Sequence, residues 1–450
     1  MVNFLRKRLD TQSKTLFKNS SWVFFANMVG TGLTFIRGIV IARGLGAELF
    51  GVYTVIVAFI NSVMEVFNLN LMTPIIKFGS QYKAENRPDK LVALIKSSLV
   101  ATTVIAIGSV IIITILTYTS YGTFAKTPGL EWFAIAYSVV AGFLLFNHIN
   151  RGVLRLFFKF KLNSIVQIIM DVAELALVAL ALLVYPKELK YFLIAILISR
   201  FVNFIIPAFA AYRELLPELK DHLSAGMSLI KSEFKSIRIF TLNNSVARTV
   251  QSLINNGDVL VIGLLSNNPA HAGYYAVGKK LAWAILTLFD PLTNSIYPQL
   301  CKLIAEKQIG GISKMLIKMT GIAAIPTFLF IIVAYFFSEL IITTVFGKDY
   351  LEAANTFALL TVASMLYSVF FWMQPLLQAL NMTGIRLRVS LVGMAAGIIS
   401  AYLLIPVYGS EGMAMTMIIM NVIMPAIFLY FVIQKLKLEM INSQVTDSNS

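Results

Sequence analysis

The sequence predicts an all-α polytopic membrane protein with about 12 transmembrane helices, arranged as two six-helix lobes around a central cleft. Three observations predict this class. Hydrophobic residues make up 58% of the 450 residues and charged residues only 13%, whereas soluble domains carry about 25% charged residues. The mean hydropathy is +0.79. Apolar stretches of about 20 residues, long enough to cross a hydrocarbon core of about 30 Å, recur along the whole chain.

These stretches define the predicted spans in chain order. Charged residues, glycine, proline and asparagine separate one apolar run from the next. The predicted spans are 17–42, 51–76, 91–118, 130–150, 162–185, 191–212, 239–265, 273–297, 319–346, 353–380, 389–407 and 412–432. Each boundary is accurate to about three residues.

The distribution of Lys and Arg predicts the orientation. With the N-terminus inside, 27 of the 37 basic residues fall in cytoplasmic segments, 5 in outside segments and 5 within spans. Cytoplasmic loops of membrane proteins carry such an excess. We therefore predict a multi-pass protein of the cytoplasmic (inner) membrane with both termini cytoplasmic. The net charge of +15 then reflects this orientation and not a nucleic-acid partner. Residues 1–20 are too long and too basic for a cleaved signal peptide.

Short motifs recur at one nearly constant offset, each at the same place in a six-span half. The matches are Gly51-Val-Tyr53 with Gly273-Tyr-Tyr275, the LIK of 94–96 with that of 316–318, Glu131 with Glu352, and Pro186 with Pro406. An even number of spans per half makes the repeats parallel, and substrate sites of such transporters lie at the repeat interface. We predict an N-terminal lobe at 1–220 with its cytoplasmic tail, a C-terminal lobe at 221–435 and a disordered cytoplasmic tail at 436–450.

Ionisable residues within the fifth and sixth spans predict an ion pair. Asp171 and Glu174 are three residues apart and so share one helix face. Arg200 lies in the sixth span, at the height of Glu174 when residues are counted from the connecting loop. We interpret Asp171, Glu174 and Arg200 as a structural ion pair inside the N-terminal lobe.

Arg37 lies well inside the first span, where an arginine costs about 2.5–3.5 kcal/mol on insertion scales. Under the repeat it matches position 259, next to Asp258 of the seventh span. Opposite charges at one depth, one in each lobe, would form a latch on the outer side of the cleft. The alternative is that Arg37 snorkels to the outer surface, about two turns away.

Other polar residues within the spans are candidates for a transport path, because ionisable groups at membrane depth usually line pathways or pair with each other. Arginine would hold a phosphate or an acidic sugar by its fork, and lysine would act as a point charge. The alternatives are charges that only pair among themselves and asparagines that only link helices. The predicted substrate-binding or cavity residues are Arg37, Arg248, Lys279, Lys280, Asn27 and Asn244. The predicted gating or ion-coupling residues are Asp258, Glu65 and Asp290.

Signals of enzymatic chemistry do not occur in the sequence. It has no phosphate-binding Gly-Lys-Ser/Thr loop, no paired-histidine metal motif and no nucleophile elbow. There is one cysteine, Cys301, and the three histidines have no metal-ligand spacing. The longest inside loop, 213–238, is too short for a soluble catalytic domain. We predict a protein that is not an enzyme and holds neither a metal nor a cofactor.

Three passages carry a resemblance to a known family. The most specific is residues 42–53, which read Ala-Arg-x-Leu-Gly-x-x-x-Phe-Gly-x-Tyr. The others are 255–280, where an aspartate precedes Ala-Gly-Tyr-Tyr, and Phe-Gly-Lys-Asp-Tyr at 346–350. The chain resembles polysaccharide biosynthesis membrane proteins, the flippases for O-antigen and capsule. Their superfamily, the MOP exporters, also contains the MATE multidrug exporters and the lipid II flippase.

The resemblance implies a MATE-like fold, alternating access and a transported lipid. The implied substrate is an undecaprenyl-diphosphate-linked oligosaccharide, moved from the inner to the outer leaflet for O-antigen, lipopolysaccharide or capsule biosynthesis. Implied partners are this polyprenyl-diphosphate-linked oligosaccharide, membrane lipid, a polysaccharide polymerase and a chain-length regulator.

Other functions stay open at this point. A MATE-type drug antiporter would favour acids over bases in its cleft, and here cations are at least as numerous as acids. A lipid II flippase or a phospholipid scramblase would need similar chemistry. A membrane polysaccharide polymerase would need a long outer loop or a catalytic domain, which the loop lengths disfavour. Protons, sodium or the membrane potential could drive transport, the last at about 2.3 kcal/mol per charge per 100 mV.

Overall fold

The structure, a computed structural model, is helical and contains no strand in the part of the chain that it describes. The backbone is described for residues 2–448 except 125, 186–187, 287–295, 297–298, 302, 305, 307 and 381. Within helices, the description also excludes the side chains of 2–21, 23, 124, 218, 243–244, 246–248, 250–251, 253–256, 285, 309, 378, 383–384, 386–387 and 436–448.

Long apolar helices alternate with short ones along the chain. In the described part of the chain, short 3₁₀ turns lie between them at Lys220–His222, Met227–Ile230 and Lys348–Tyr350. The α-helices are α1 (Val2–Phe67), α2 (Met72–Ala84), α3 (Pro88–Phe124), α4 (Glu131–Leu144), α5 (Asn147–Leu156), α6 (Phe160–Val184), α7 (Leu189–Leu219), α8 (Phe234–Asn256), α9 (Asp258–Leu265), α10 (Ala270–Leu286), α11 (Ile309–Phe346), α12 (Ala353–Val369), α13 (Met373–Ala379) and α14 (Thr383–Ser448).

Two glycines divide the longest helices. Gly46 inside α1 has φ 76° and Gly409 inside α14 has φ 55°. Positive φ is readily available only to glycine, so each of these residues allows a kink that another residue would resist. The kinks fall in the predicted gaps at 43–50 and 408–411. Each of these long helices therefore contains two of the predicted spans.

Several predicted spans are shorter than expected because the helix is interrupted. The second was expected to reach residue 76 but ends at Phe67, where the side chain of Asn68 accepts a hydrogen bond from the Asn70 amide at 2.9 Å. Such local side-chain bonds compete with the helix. The fourth span breaks between α4 and α5, the seventh between α8 and α9, and the tenth between α12 and α13.

Helix boundaries in the two halves follow the offset of the sequence repeat. Helices α3 and α11 begin at Pro88 and Ile309, and helices α4 and α12 begin at Glu131 and Ala353. These two separations along the chain agree with each other, and with the repeat of Gly51 at Gly273, to within a single position. The repeat in the sequence is therefore also a repeat of helices.

The class of the fold is confirmed. Among the described residues, eight helical stretches are long and apolar enough to cross a membrane. Some of them join two neighbouring helices, such as α4 and α5, and two contain the kinks described above. The protein is therefore an all-α polytopic membrane protein, whereas the count of 12 spans stays a prediction.

The chain forms two compact units. Unit 1 contains residues 1–45 and 55–260, and unit 2 contains 46–54 and 261–450. In unit 1, helices α2, α3, α5, α6 and α7 bury a common core that includes Tyr82, Leu94 and Leu154. In unit 2, a second core lies around Leu300, Met365 and Phe428. The lobe boundary at 220 and the disordered tail at 436–450 stay predictions.

The charged segment before α8 is docked onto unit 1. Lys96 Nζ donates to the backbone oxygen of Ala225 at 3.1 Å, and Ile230 is buried. Glu233 accepts hydrogen bonds from Lys90 Nζ at 2.7 Å and from the hydroxyl of Tyr82. This segment is therefore held in a defined position and does not act as a free linker.

Candidate functional site

A cavity of about 430 Å³ lies within unit 1 and is lined mainly by polar side chains from α1, α5, α6 and α7. Four guanidinium groups and two carboxylates line it, so it carries an excess of positive charge. The charged residues are Arg37, Arg151, Arg155, Arg200, Asp171 and Glu174.

The carboxylate of Glu174 is the centre of the ion pairs in this cavity. The side chain is only 2% exposed, and its Oε2 lies 2.6 Å from Arg37 Nη1. Its Oε1 lies 3.1 Å from Arg200 Nη2. Asn203 Nδ2, on the same face of α7 as Arg200, donates to Glu174 Oε2 at 3.1 Å. One buried acid thus connects α1 with α6 and α7.

Asp171 lies on the same face of α6, one turn before Glu174. Its Oδ2 accepts a hydrogen bond from Gln167 Nε2 at 2.9 Å, and Gln167 Oε1 accepts one from Arg151. A Cβ atom added to Gly30 would lie 2.8 Å from Asp171 Oδ2. The missing side chain at Gly30 therefore lets α1 approach the acidic face of α6.

The buried polar atoms of this cavity include a donor and an acceptor that have no hydrogen-bond partner. Arg155 Nε and Asn203 Oδ1 are buried and make no hydrogen bond within the described part of the chain. Burying a polar atom without a partner is costly. A donor and an acceptor left open in one basic cavity would suit a ligand that carries both anionic oxygens and hydroxyl groups.

Counting residues from the connecting loop predicted that Glu174 and Arg200 lie at one height, but it did not predict that Arg37 pairs with Glu174. The structure places the guanidinium group of Arg37 against Glu174 within unit 1. The Asp258 carboxylate is buried at the start of α9, where Oδ1 accepts the Val259 amide at 2.9 Å. The latch between Arg37 and Asp258 stays a prediction.

The remaining predicted residues lie elsewhere. Asn27 is exposed on α1. The Glu65 carboxylate accepts a hydrogen bond from Asn68 Nδ2 at 3.1 Å. Lys279 and Lys280 are half-buried in unit 2, and Lys279 Nζ lies 5.7 Å from the ring centre of Trp283. The side chains of Arg248, Asn244 and Asp290 lie outside the described residues.

Sequence reasoning missed Arg151 and Arg155, which it counted as cytoplasmic loop residues. The sequence does contain a pattern that indicates their position. Asn147, Arg151 and Arg155 follow one another at intervals of four residues and so lie along one helix face. The break between α4 and α5 separates this face from the apolar span before it. A short helix with one basic face, directly after such a break, points to a polar cavity.

A second, smaller cavity lies in unit 2. Its volume is about 280 Å³, and Glu339, Glu352 and Glu411 line it together with His271 and Tyr274. The excess charge is therefore negative in this cavity and positive in that of unit 1. An anionic ligand is favoured by the cavity of unit 1.

Comparison with known proteins agrees with this architecture. The family model described as polysaccharide biosynthesis protein matches residues 16–304. An uncharacterized membrane protein of Methanocaldococcus jannaschii is 22% identical over 414 residues, covering 91% of this chain and 95% of that protein. A probable low-salt glycan biosynthesis flippase, Agl15 of Haloferax volcanii, is 27% identical over 195 residues, covering 42% of this chain and 40% of that protein.

Solved structures share the fold. The lipid II flippase MurJ in an inward closed conformation has a TM-score of 0.69 at 15% identity, covering 95% of this chain and 91% of that one. An inward-facing MATE family multidrug transporter of the MOP superfamily has a TM-score of 0.70 at 13% identity, covering 91% and 95%. At these identities the likeness shows the fold alone. Because the family model matches more than half of its length, the chain belongs to the polysaccharide biosynthesis protein family of multi-pass membrane proteins.

Proposed function

We propose that this protein is a flippase for a polyprenyl-diphosphate-linked oligosaccharide. It moves this lipid from the inner to the outer leaflet of the cytoplasmic membrane by alternating access, with both termini on the cytoplasmic side. The observation that carries the proposal is the basic cavity of unit 1, where four arginines stand against two carboxylates.

The arginines of the cavity differ in whether they already have a counterion, and this difference suggests which of them binds the lipid first. Arg37 and Arg200 already share Glu174 as a counterion. The buried Nε of Arg155 has no hydrogen-bond partner, so Arg155 is better placed to bind an anionic oxygen of the lipid first. A diphosphate offers several such oxygens, and the guanidinium fork binds them in bidentate fashion. The open acceptor of Asn203 would take a hydroxyl hydrogen from the first sugar.

The relatives support this substrate class. The Haloferax relative is a probable glycan biosynthesis flippase, and MurJ is a lipid II flippase. By analogy the carrier is undecaprenyl diphosphate and the product an O-antigen or capsule precursor. A drug-cation antiporter of the MATE type fits less well, because an excess of arginine repels a cationic drug.

Transport by purified protein tests the proposal. Proteoliposomes would contain a fluorescent undecaprenyl-diphosphate-linked oligosaccharide, with a neutral lipid-linked oligosaccharide as the control substrate. We expect Arg155→Gln to lose most transport of the diphosphate lipid at normal abundance, and Arg155→Lys to keep part of it because the charge remains without the fork.

Arg213, an exposed arginine near the end of α7, provides the matched control. Arg213→Gln should transport at the normal rate. Full transport by a well-folded Arg155→Gln protein, or equal transport of the neutral lipid by the native protein, would overturn the proposal.

A further inference from the structure

The arginines of the unit 1 cavity differ in the partners that hold them. Arg37 and Arg200 form ion pairs with the carboxylate of Glu174. Arg151 and Arg155, both on α5, form no ion pair with a carboxylate of the described residues. Arg151 bonds to a neutral amide, and the Nε of Arg155 has no hydrogen-bond partner. The uncompensated positive charge of the cavity therefore lies on the side of α5.

A neutral side chain, Gln167 of α6, links Arg151 to Asp171. Its Oε1 accepts a hydrogen bond from Arg151 Nη2, and its Nε2 donates one to Asp171 Oδ2 at 2.9 Å. A guanidinium group has only donors and a carboxylate only acceptors, so both bonds form in just one orientation of the amide. The carboxylate of Asp171 thus fixes the direction of the amide, and the amide fixes the guanidinium group of Arg151.

Because the link is neutral, it orients Arg151 without neutralising it. A carboxylate at position 167 would instead form the direct, charge-assisted pair that arginine makes with acids. Such a pair would satisfy the guanidinium group and remove one positive charge from the side of α5. The glutamine supplies the hydrogen bond without the countercharge.

Helix α5 holds Arg151 and Arg155 next to each other on its polar face. A neighbouring face packs closely against α2, since a Cβ atom added to Gly152 would lie 3.2 Å from Met72 Cα and 3.3 Å from Ile75 Cγ2. The helix is therefore fixed, and two like charges remain four residues apart. Like charges at this spacing repel each other. An anion that binds both guanidinium groups would relieve the repulsion.

We propose that Gln167 is a positioning residue for transport, which aims Arg151 into the cavity and leaves its charge available. Arg151 and Arg155 together then bind the anionic group of the lipid. The inference rests on the proposed transport function. In this arrangement Glu174 compensates the arginines of α1 and α7, whereas the arginines of α5 bind the ligand. Placing a carboxylate directly against Arg151 should weaken binding even when every hydrogen bond is kept.

Exchanging the two side chains of α6, in a Gln167→Glu/Asp171→Asn variant, tests this role. The exchange keeps the volume, the net charge and both hydrogen bonds, because the new glutamate accepts from Arg151 and from the asparagine amide. Only the carboxylate moves, into direct contact with Arg151. We expect the Kd for inorganic pyrophosphate, measured from thermal shifts of the purified protein, to rise about tenfold, near the lower end of what a hydrogen bond to a charged group contributes.

Transport kinetics separate positioning from a loss of folded protein. In proteoliposomes the exchange should raise the KM for the fluorescent undecaprenyl-diphosphate-linked oligosaccharide about tenfold and leave kcat within about twofold, because it weakens substrate binding. A misfolded fraction would instead lower kcat at an unchanged KM. Arg151→Gln should raise KM to a similar extent. Adding the exchange to Arg151→Gln should change nothing further, since no guanidinium group is left to neutralise.

An exposed pair on α2 provides the matched control. Gln81 Nε2 donates to Glu85 Oε1 at 2.8 Å, and the two residues have the same spacing of four. The Gln81→Glu/Glu85→Gln exchange moves a carboxylate in the same way and should leave Kd and KM unchanged. Native values of both constants in the α6 exchange variant, or a further loss when the exchange is added to Arg151→Gln, would overturn the inference.

The pyrophosphate measurement needs no lipid, so the two proposals can fail separately. Native pyrophosphate affinity and native KM after the α6 exchange, with transport that still depends on Arg155, would overturn only the role of Gln167. Weaker pyrophosphate binding after the exchange, in a protein that does not transport the lipid, would overturn the transport function and support the placement of the anion. A native protein that binds no pyrophosphate would overturn the inference.

Discussion

Replacing Glu174 with glutamine would test whether one buried acid holds the basic cavity together. The native carboxylate lies 2.6 Å from Arg37 and 3.1 Å from Arg200. Glutamine has nearly the same shape, but it has no charge and offers one oxygen instead of two. Two guanidinium groups would lose their counterion while the volume of the site stays the same.

The size of the effect follows from the burial of the three partners. Removing one member of a buried ion pair costs about 3–5 kcal/mol. The side chains of Arg37 and Arg200 are 15% and 24% exposed, so solvent relieves part of their charge and the lower end applies. For a unit of this size, about 3 kcal/mol lowers the melting temperature by roughly 6–12 °C.

The assay is thermal unfolding of the purified protein in detergent, followed by size-exclusion chromatography after heating. Asp171→Asn is the matched control, since Asp171 lies three residues earlier on α6 and accepts a hydrogen bond from neutral Gln167. The Asp171→Asn substitution should lower the free energy of unfolding by about 1 kcal/mol, which is the contribution of one ordinary hydrogen bond. A Glu174→Gln protein that melts within a few degrees of the native protein would refute the role of Glu174 as the shared counterion.

Three further predictions concern packing, pH and orientation. Gly30→Ala should cost about 1–3 kcal/mol in thermal unfolding, because its Cβ would displace the Asp171 carboxylate; native stability would argue against the close approach of α1 and α6. Burial raises the pKa of Glu233, but its hydrogen bonds from Lys90 and Tyr82 outweigh burial and lower the pKa. The docking of the segment before α8 is therefore complete above the ordinary glutamate pKa and weakens as pH falls through the lowered pKa. Proteolysis of this segment should accelerate on acidification, and Glu233→Gln should remove that pH dependence. In intact cells, an impermeant thiol reagent should label the Lys190→Cys variant but not the Lys231→Cys variant; the reverse pattern would contradict the predicted orientation.

The sequence predicted the fold class and most helices because bilayer-spanning helices need long apolar runs. It did not predict the interruptions at Asn68 and between α4 and α5. An apolar run shows that a segment is buried but does not show whether its backbone is continuous. The side chain of Asn68 bonds the amide two residues on, and this local contact ends the helix inside the predicted span.

Depth counting located the height of the charged residues but not the direction in which they point. It aligned Glu174 with Arg200, because α6 and α7 form an antiparallel pair joined by a short loop. It assigned Arg37 to Asp258 from the repeat, although height alone cannot choose between partners around the helix. Gly30 indicates the direction, because Gly30 and Arg37 are seven residues apart and lie on one face of α1. That face meets Asp171 and Glu174.

Arg151 and Arg155 show how an interrupted helix changes the meaning of a charge. Counting basic residues by loops assumes that a charge after an apolar run lies in the cytoplasm. When the run ends early, at Leu144, the next helix carries its charges into the protein, and both arginines then line the cavity. The same residues that support the predicted orientation are thus available to bind an anion. A basic helix face directly after a broken span is therefore evidence for a site as well as for topology.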